Sequence, residues 1–129
     1  MKHVGVLTLS LAALLALGCG AGGRQLQSIT VAQTVSGGKV SFIATGHYTS
    51  APSTATPLAV SWGIGLFAPP PGTVHYTLTA APYVFTCPTA GSGPLQPVSV
   101  FAPRDPNAPS SGSAAWTSVV TAYAQIQCP

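Results

Sequence analysis

The fold class the sequence predicts is all-β: an antiparallel sandwich of about seven short strands. Three observations predict it. Apolar residues alternate with period 2 from Gln25 onward, and no stretch of the mature chain holds a 3.6-residue repeat. Thr and Val, which suit a pleated, half-buried surface, are frequent, and Tyr and Phe join them within the alternating runs. The chain also carries 14 glycines and 13 prolines, which punctuate it at short intervals.

The elements follow in order. Leu26–Val31 reads as a first strand, and Ser36-Gly37-Gly38 as a turn. In Lys39–Tyr48, Val40, Phe42, Ala44 and Tyr48 fall on one face, with Ser41, Thr45 and His47 on the other. Ala51–Pro57 is a Ser/Thr/Pro loop. Leu58–Ile64 alternates cleanly, with Leu58, Val60, Trp62 and Ile64 inward. Phe67-Ala68-Pro69-Pro70-Pro71-Gly72 is loop, because proline removes a backbone donor at three successive positions. Thr73–Ala80 alternates again, setting Val74, Tyr76 and Leu78 against Thr73, His75 and Thr77. Tyr83–Cys87 follows the break at Pro82, then a loop over Pro88–Pro94 and a strand over Gln96–Ala102. A long surface loop runs from Arg104 to Ser113, and Trp116–Cys128 is the last strand. Trp62 and Trp116 are both expected in the core by parity with their neighbours.

Before the strands comes a different kind of segment. Met1-Lys2-His3 is a short basic head, and Val4–Leu17 an apolar run that spans roughly 21 Å as a helix. That is short of the ~30 Å hydrocarbon core, so a cleaved secretory signal helix fits better than a membrane span. Leu14-Leu15-Ala16-Leu17-Gly18-Cys19 resembles the lipobox of bacterial lipoproteins. The resemblance implies cleavage before Cys19, a diacylglyceryl thioether on its sulfur, and a membrane partnership through that lipid. It divides the chain into a leader (1–18), an anchored flexible tether (19–25) and one domain (26–129). Leu17 is bulkier than the residue usual before the glycine, and ordinary secretion with cleavage near Ala21 is the alternative. Gly20 after the cysteine is similar to the pattern sorted to an outer membrane, where the cell has one.

Cysteine parity bears on the same point. Three cysteines leave one over in an exported protein. With lipid on Cys19, Cys87 and Cys128 remain as a pair. Each ends a β-like run, Cys87 sharing a face with Phe85 and Tyr83, and Cys128 with Ile126 and Ala124. A disulfide between inward faces is the expectation; two buried thiols or a metal pair are the alternatives, without the local spacing metal sites show.

The opening of the domain carries a second resemblance. Leu26-Gln27-Ser28-Ile29-Thr30-Val31, then Gly37-Gly38-Lys39-Val40-Ser41-Phe42-Ile43-Ala44-Thr45-Gly46-His47-Tyr48, then Val60-Ser61-Trp62 resembles a bacterial Ig-like domain of group 2. In that family a G-x-x-V-x-F-x-A-T-G-x-Y strand and a V-x-W strand recur in this order. About the first 40 residues of the domain match; the second half lacks the family's usual end strand and closes on Cys128-Pro129. The resemblance implies an Ig-like sandwich, and fold transfers across such a departure better than ligand does.

Composition narrows function. The segment after the leader keeps Arg24, Lys39 and Arg104 against Asp105, a formal net charge of +2, too weak and scattered for a nucleic-acid partner. Apolar residues make up 47%, which is incompatible with charge-driven disorder. Asp105 is the only acidic side chain, so paired-carboxylate hydrolysis and calcium binding have no residues to use. It sits in Arg104-Asp105-Pro106-Asn107, where a turn role is expected. A hydrolytic triad would need Asp105 beside His47 or His75, both on polar sides of their strands, and no serine lies in a nucleophile elbow. A zinc pair would need the strands of His47 and His75 side by side. No catalytic, metal or cofactor set is expected. Tyr48, Phe67 and Tyr123 are the aromatics expected near strand ends, in loops or outward, and are the candidate ligand contacts. The expectation is a non-enzymatic, envelope-anchored protein acting by adhesion, spacing or contact with an envelope protein or polysaccharide. A carbohydrate-binding module is the alternative.

Overall fold

The computed structural model describes residues 23–65, 72–89 and 95–128. The leader, Cys19, Phe67 and the run of prolines that follows it in sequence lie outside these residues.

Nine strands are present among the described residues: β1 (Leu26–Ser36), β2 (Lys39–Tyr48), β3 (Thr54–Ala55), β4 (Ser61–Ile64), β5 (Thr73–Thr77), β6 (Tyr83–Thr86), β7 (Val98–Pro103), β8 (Ser111–Ala115) and β9 (Val119–Ala124). All pairings are antiparallel. β1 and β2 form a hairpin whose last pair is Ser36 with Lys39. Gly37 and Gly38 take φ of 59° and 75°, the left-handed pair that a two-residue hairpin turn requires. Gly38→Val is therefore expected to cost about 1–2 kcal/mol in urea unfolding, whereas Gly37→Asn, which tolerates this region, should stay close to wild type.

β2 is the centre of the first sheet, paired with β1 on one side and with β3 and β6 on the other. Its alternation is the one expected, with Val40, Phe42 and Ala44 buried. Gly46 continues that face because a Cβ there would come within 3.1 Å of both Leu26 and Leu58 side chains. The second sheet has the order β4-β7-β9. Between the sheets, Leu26, Ile29 and Ala44 meet Leu58, Val60, Val100, Ala102 and Val120. A second cluster joins Val40 and Phe42 to Val98 and Ile126. Phe42, Trp62 and Tyr83 form an aromatic triangle beside it, with ring centroids 5.8–6.4 Å apart. This is sheet-on-sheet packing: a small all-β sandwich, compatible with an Ig-like fold.

β5 and β8 form a two-stranded ribbon laid over the outer side of the second sheet. Val74 and Tyr76 of the ribbon pack on Phe101 of β7 and on Val119. Covered from both sides, β7 is buried at every position, although it is antiparallel.

Four expectations are corrected. β3 lies inside the expected Ser/Thr/Pro loop, where Thr54 and Ala55 pair with His47 and Gly46. β8 occupies the end of the expected surface loop, because β5 offers its backbone edge as a template. The last strand is shorter than expected: residues 116–118 form a 3-10 turn, which resets the phase and moves Trp116 to the ribbon cluster, half-buried. Ile64 was expected inward and is 50% exposed, as the last residue of a strand with one pairing neighbour.

The two ends of the sandwich are fastened differently. At one end Leu26 N–H donates to Arg104 O (2.8 Å), Arg104 N–H to Ser118 O (2.6 Å), and the Arg104 guanidinium to Leu26 O (3.2 Å). At the other, Cys87 N–H donates to Gly38 O (2.8 Å) beside the disulfide. Along the side, the Gln33 amide of β1 imitates a strand: Nε2 donates to Gln125 O and Oε1 accepts from Gln127 N–H at 3.2 Å. Gln33→Ala should cost about 1–2 kcal/mol for these two bonds. Hydrogen exchange at the Gln127 amide should accelerate more than at core strand amides.

Candidate functional site

Cys87, just past β6, and Cys128, in the tail after β9, stand at disulfide distance: the sulfurs are 2.10 Å apart and the Cα atoms 5.8 Å. Both side chains pack on the Val40–Phe42 cluster, along with Phe85. Alternation brings Phe85 and Ile126 inward and their cysteines with them.

The candidate aromatics do not gather. Tyr48 ends β2, half-buried against the main core. The Arg24 guanidinium lies 3.5 Å from its ring centroid and donates to Pro52 O at 2.8 Å, so one ring face is already occupied by a cation. Tyr123 is 47% exposed on β9, opposite Ser99, toward the disulfide end of the sheet. Tyr48 belongs to the opposite end, where it pairs with Leu26. Phe67 lies outside the described residues.

The polar candidates are held separately. Asp105 Oδ1 accepts from Asn107 N–H at 2.9 Å and its carbonyl from Ala108 N–H at 3.1 Å, the turn role expected of it. His47 Nε2 lies 3.0 Å from Thr30 Oγ1 across the β1–β2 pair. His75 is exposed on β5 opposite Ser113, on a strand that does not pair with that of His47. Among the described residues, no group of three or more His, Cys, Asp or Glu side chains converges.

What the structure does assemble is a pair of clefts around the Asp105–Ser110 loop. The smaller, about 250 Å³, descends between Leu26, Tyr48, Leu58 and Ala102, with Asp105 and Ala108 at its lip. The larger, about 440 Å³, lies between the same loop and the ribbon, against Tyr76 and Ser113. Asp105 lines both. The walls of the smaller cleft alone come from five separate segments of sequence, so no local motif announces them.

No protein-family model matches the chain, and no match is found among curated proteins or solved structures. The fold rests on the strand pairings and the packing of the sheets.

Proposed function

We propose that this chain is an exported, lipid-anchored envelope protein with a domain of the bacterial Ig-like group 2 type, acting by contact rather than catalysis. Its roles are adhesion, assembly with an envelope protein or polysaccharide, or spacing. One observation carries the reading: Cys87 and Cys128 lie at disulfide distance, so Cys19, at the end of the apolar leader, is the cysteine left over. A disulfide belongs to an oxidising compartment, and a thiol left over beyond an apolar leader is where a lipid would attach. The separate engagement of Asp105 and His47 in local hydrogen bonds supports contact over acid–base chemistry.

The anchor is tested by mass spectrometry of the N-terminal peptide from host membranes, which should carry a diacylglyceryl group on Cys19. Cys19→Ala should move the protein out of the membrane fraction, and an unmodified residue at this position in the membrane-bound protein would refute the anchor. Contact is tested by pull-down with membrane and polysaccharide fractions of the host; reproducible retention of one component is expected. The carbohydrate reading rests on Tyr123, which is 47% exposed. Its result would be retention of polysaccharide that Tyr123→Ala abolishes.

A further inference from the structure

We propose that the larger cleft, between the Asp105–Ser110 loop and the ribbon, binds a neutral sugar residue through its hydroxyl groups. The inference rests on the contact reading above and gives its polysaccharide partner a site, separate from Tyr123.

Tyr76 carries the argument. Its ring is built into the domain, 7% exposed and packed with Val74, Phe101 and Val119. Buried tyrosines usually find a hydrogen-bond partner for the hydroxyl. That of Tyr76 has none among the described residues, and the residue lines the cleft. The atom is not enclosed in the core, as the unpartnered Trp62 Nε1 is. Gly112 pairs with Tyr76 across the ribbon, and a Cβ there would stand 3.7 Å from Oη. With glycine in that place, no side chain covers the hydroxyl from β8.

Other polar groups surround the same space. Asn107 and Ser113 line it, and their side chains make no hydrogen bond among the described residues. Asp105 lines it as well, and its Asx turn uses Oδ1 alone. Tyr76, Asn107 and Ser113 supply donors; Asp105 and the Asn107 carbonyl supply acceptors. A sugar hydroxyl uses both kinds at once. Charge selects no ion here. No Lys, Arg or His lines the cleft to hold an anion, and the single carboxylate shares its end of the sandwich with the Arg24 and Arg104 guanidiniums. An apolar ligand finds no Val, Leu, Ile, Met or Phe in these walls. The small surfaces of Ala108 and Pro109 suit the C–H edges of a sugar ring. At about 440 Å³ the cleft falls within the roughly 300–1,000 Å³ of sites that hold a small ligand.

The test titrates the full chain, labelled with ¹⁵N, with the methyl glycosides of glucose, mannose, galactose and N-acetylglucosamine. Cyclohexanol, phosphate and ethylammonium serve as controls. At least one glycoside should shift the amides of Tyr76, Asn107, Ala108 and Ser113. The controls should not, because a site built on hydrogen bonds rejects an analogue that lacks the hydroxyls. Tyr76→Phe removes one hydroxyl and keeps the packed ring; affinity should fall roughly three- to tenfold, the scale of one hydrogen bond. Asn107→Ala keeps the N–H that closes the Asx turn and should cost a similar factor. No glycoside acting at these amides, an equal response to cyclohexanol, or unchanged affinity in either variant would each overturn the proposal. Shifts gathered at Tyr123 instead would overturn this cleft and favour the sugar site there. The contact reading fails separately. A host component retained equally by Tyr76→Phe overturns the cleft and leaves contact intact. Glycoside binding at the cleft without any retained host component supports the sugar site and overturns contact.

Discussion

Phe42→Ala should destabilise the domain by about 3–5 kcal/mol, while Ile43→Ala, one residue along, should stay within about 0.5 kcal/mol of wild type. Phe42 is 0% exposed and touches the Trp62 and Tyr83 rings, whereas Ile43 is 37% exposed on the outer face of the same strand. Truncating Phe42 leaves a cavity where the neighbours come from β4, β6 and β7, three strands that cannot all close on it. A small domain has only about 5–15 kcal/mol in total, so this loss leaves it marginal. The aromatic pairings add to the cost, since each contributes about 0.5–1.5 kcal/mol beyond area burial. Urea unfolding followed by circular dichroism gives both values. Equal effects at residues 42 and 43 would contradict the face assignment of β2.

The second large effect is expected at the disulfide. Cys87 and Cys128 are 41 residues apart in sequence, and the enclosed segment includes β7, β8 and β9. Opening a loop of that length frees unfolded-state entropy of about 4 kcal/mol on the chain-entropy estimate. The double variant Cys87→Ala/Cys128→Ala should therefore melt on the order of 20 °C below the oxidised protein. Reductant should lower the wild type toward the same value and leave the variant unmoved. A wild type indifferent to reductant would mean that the pair contributes nothing to stability.

How much of this was legible depends on whether the cause is local. The β1–β2 hairpin was, because Gly37-Gly38 and the Val40, Phe42, Ala44 alternation are short-range signals with a fixed geometric meaning. The faces of β5 were legible for the same reason, Val74 and Tyr76 being buried as expected. β8 was not: Ser111-Gly112-Ser113-Ala114-Ala115 has little strand preference, and it extends only because β5 lies alongside. The position of Trp116 was lost at a single 3-10 turn, since one break in period exchanges the faces of everything before it. Of the site, Asp105 was legible as a turn former and Tyr48 as a strand-end aromatic. The cover of Arg24 on Tyr48 and the cleft beneath Asp105 were not, because both are made by tertiary approach.

The chain enters β1 at the same end of the sandwich as the cleft, and that sets how the body is presented. From Cys19 to Leu26 the backbone reaches at most about 25 Å. The 11 residues of β1 then run roughly 36 Å to the hairpin tip and the disulfide. With Cys19 in the bilayer, as proposed, the start of β1 and the cleft beside it would stay within that reach of the lipid, and the cross-linked tip would be free to extend farther. A partner of this end of the protein would then have to be met close to the membrane surface.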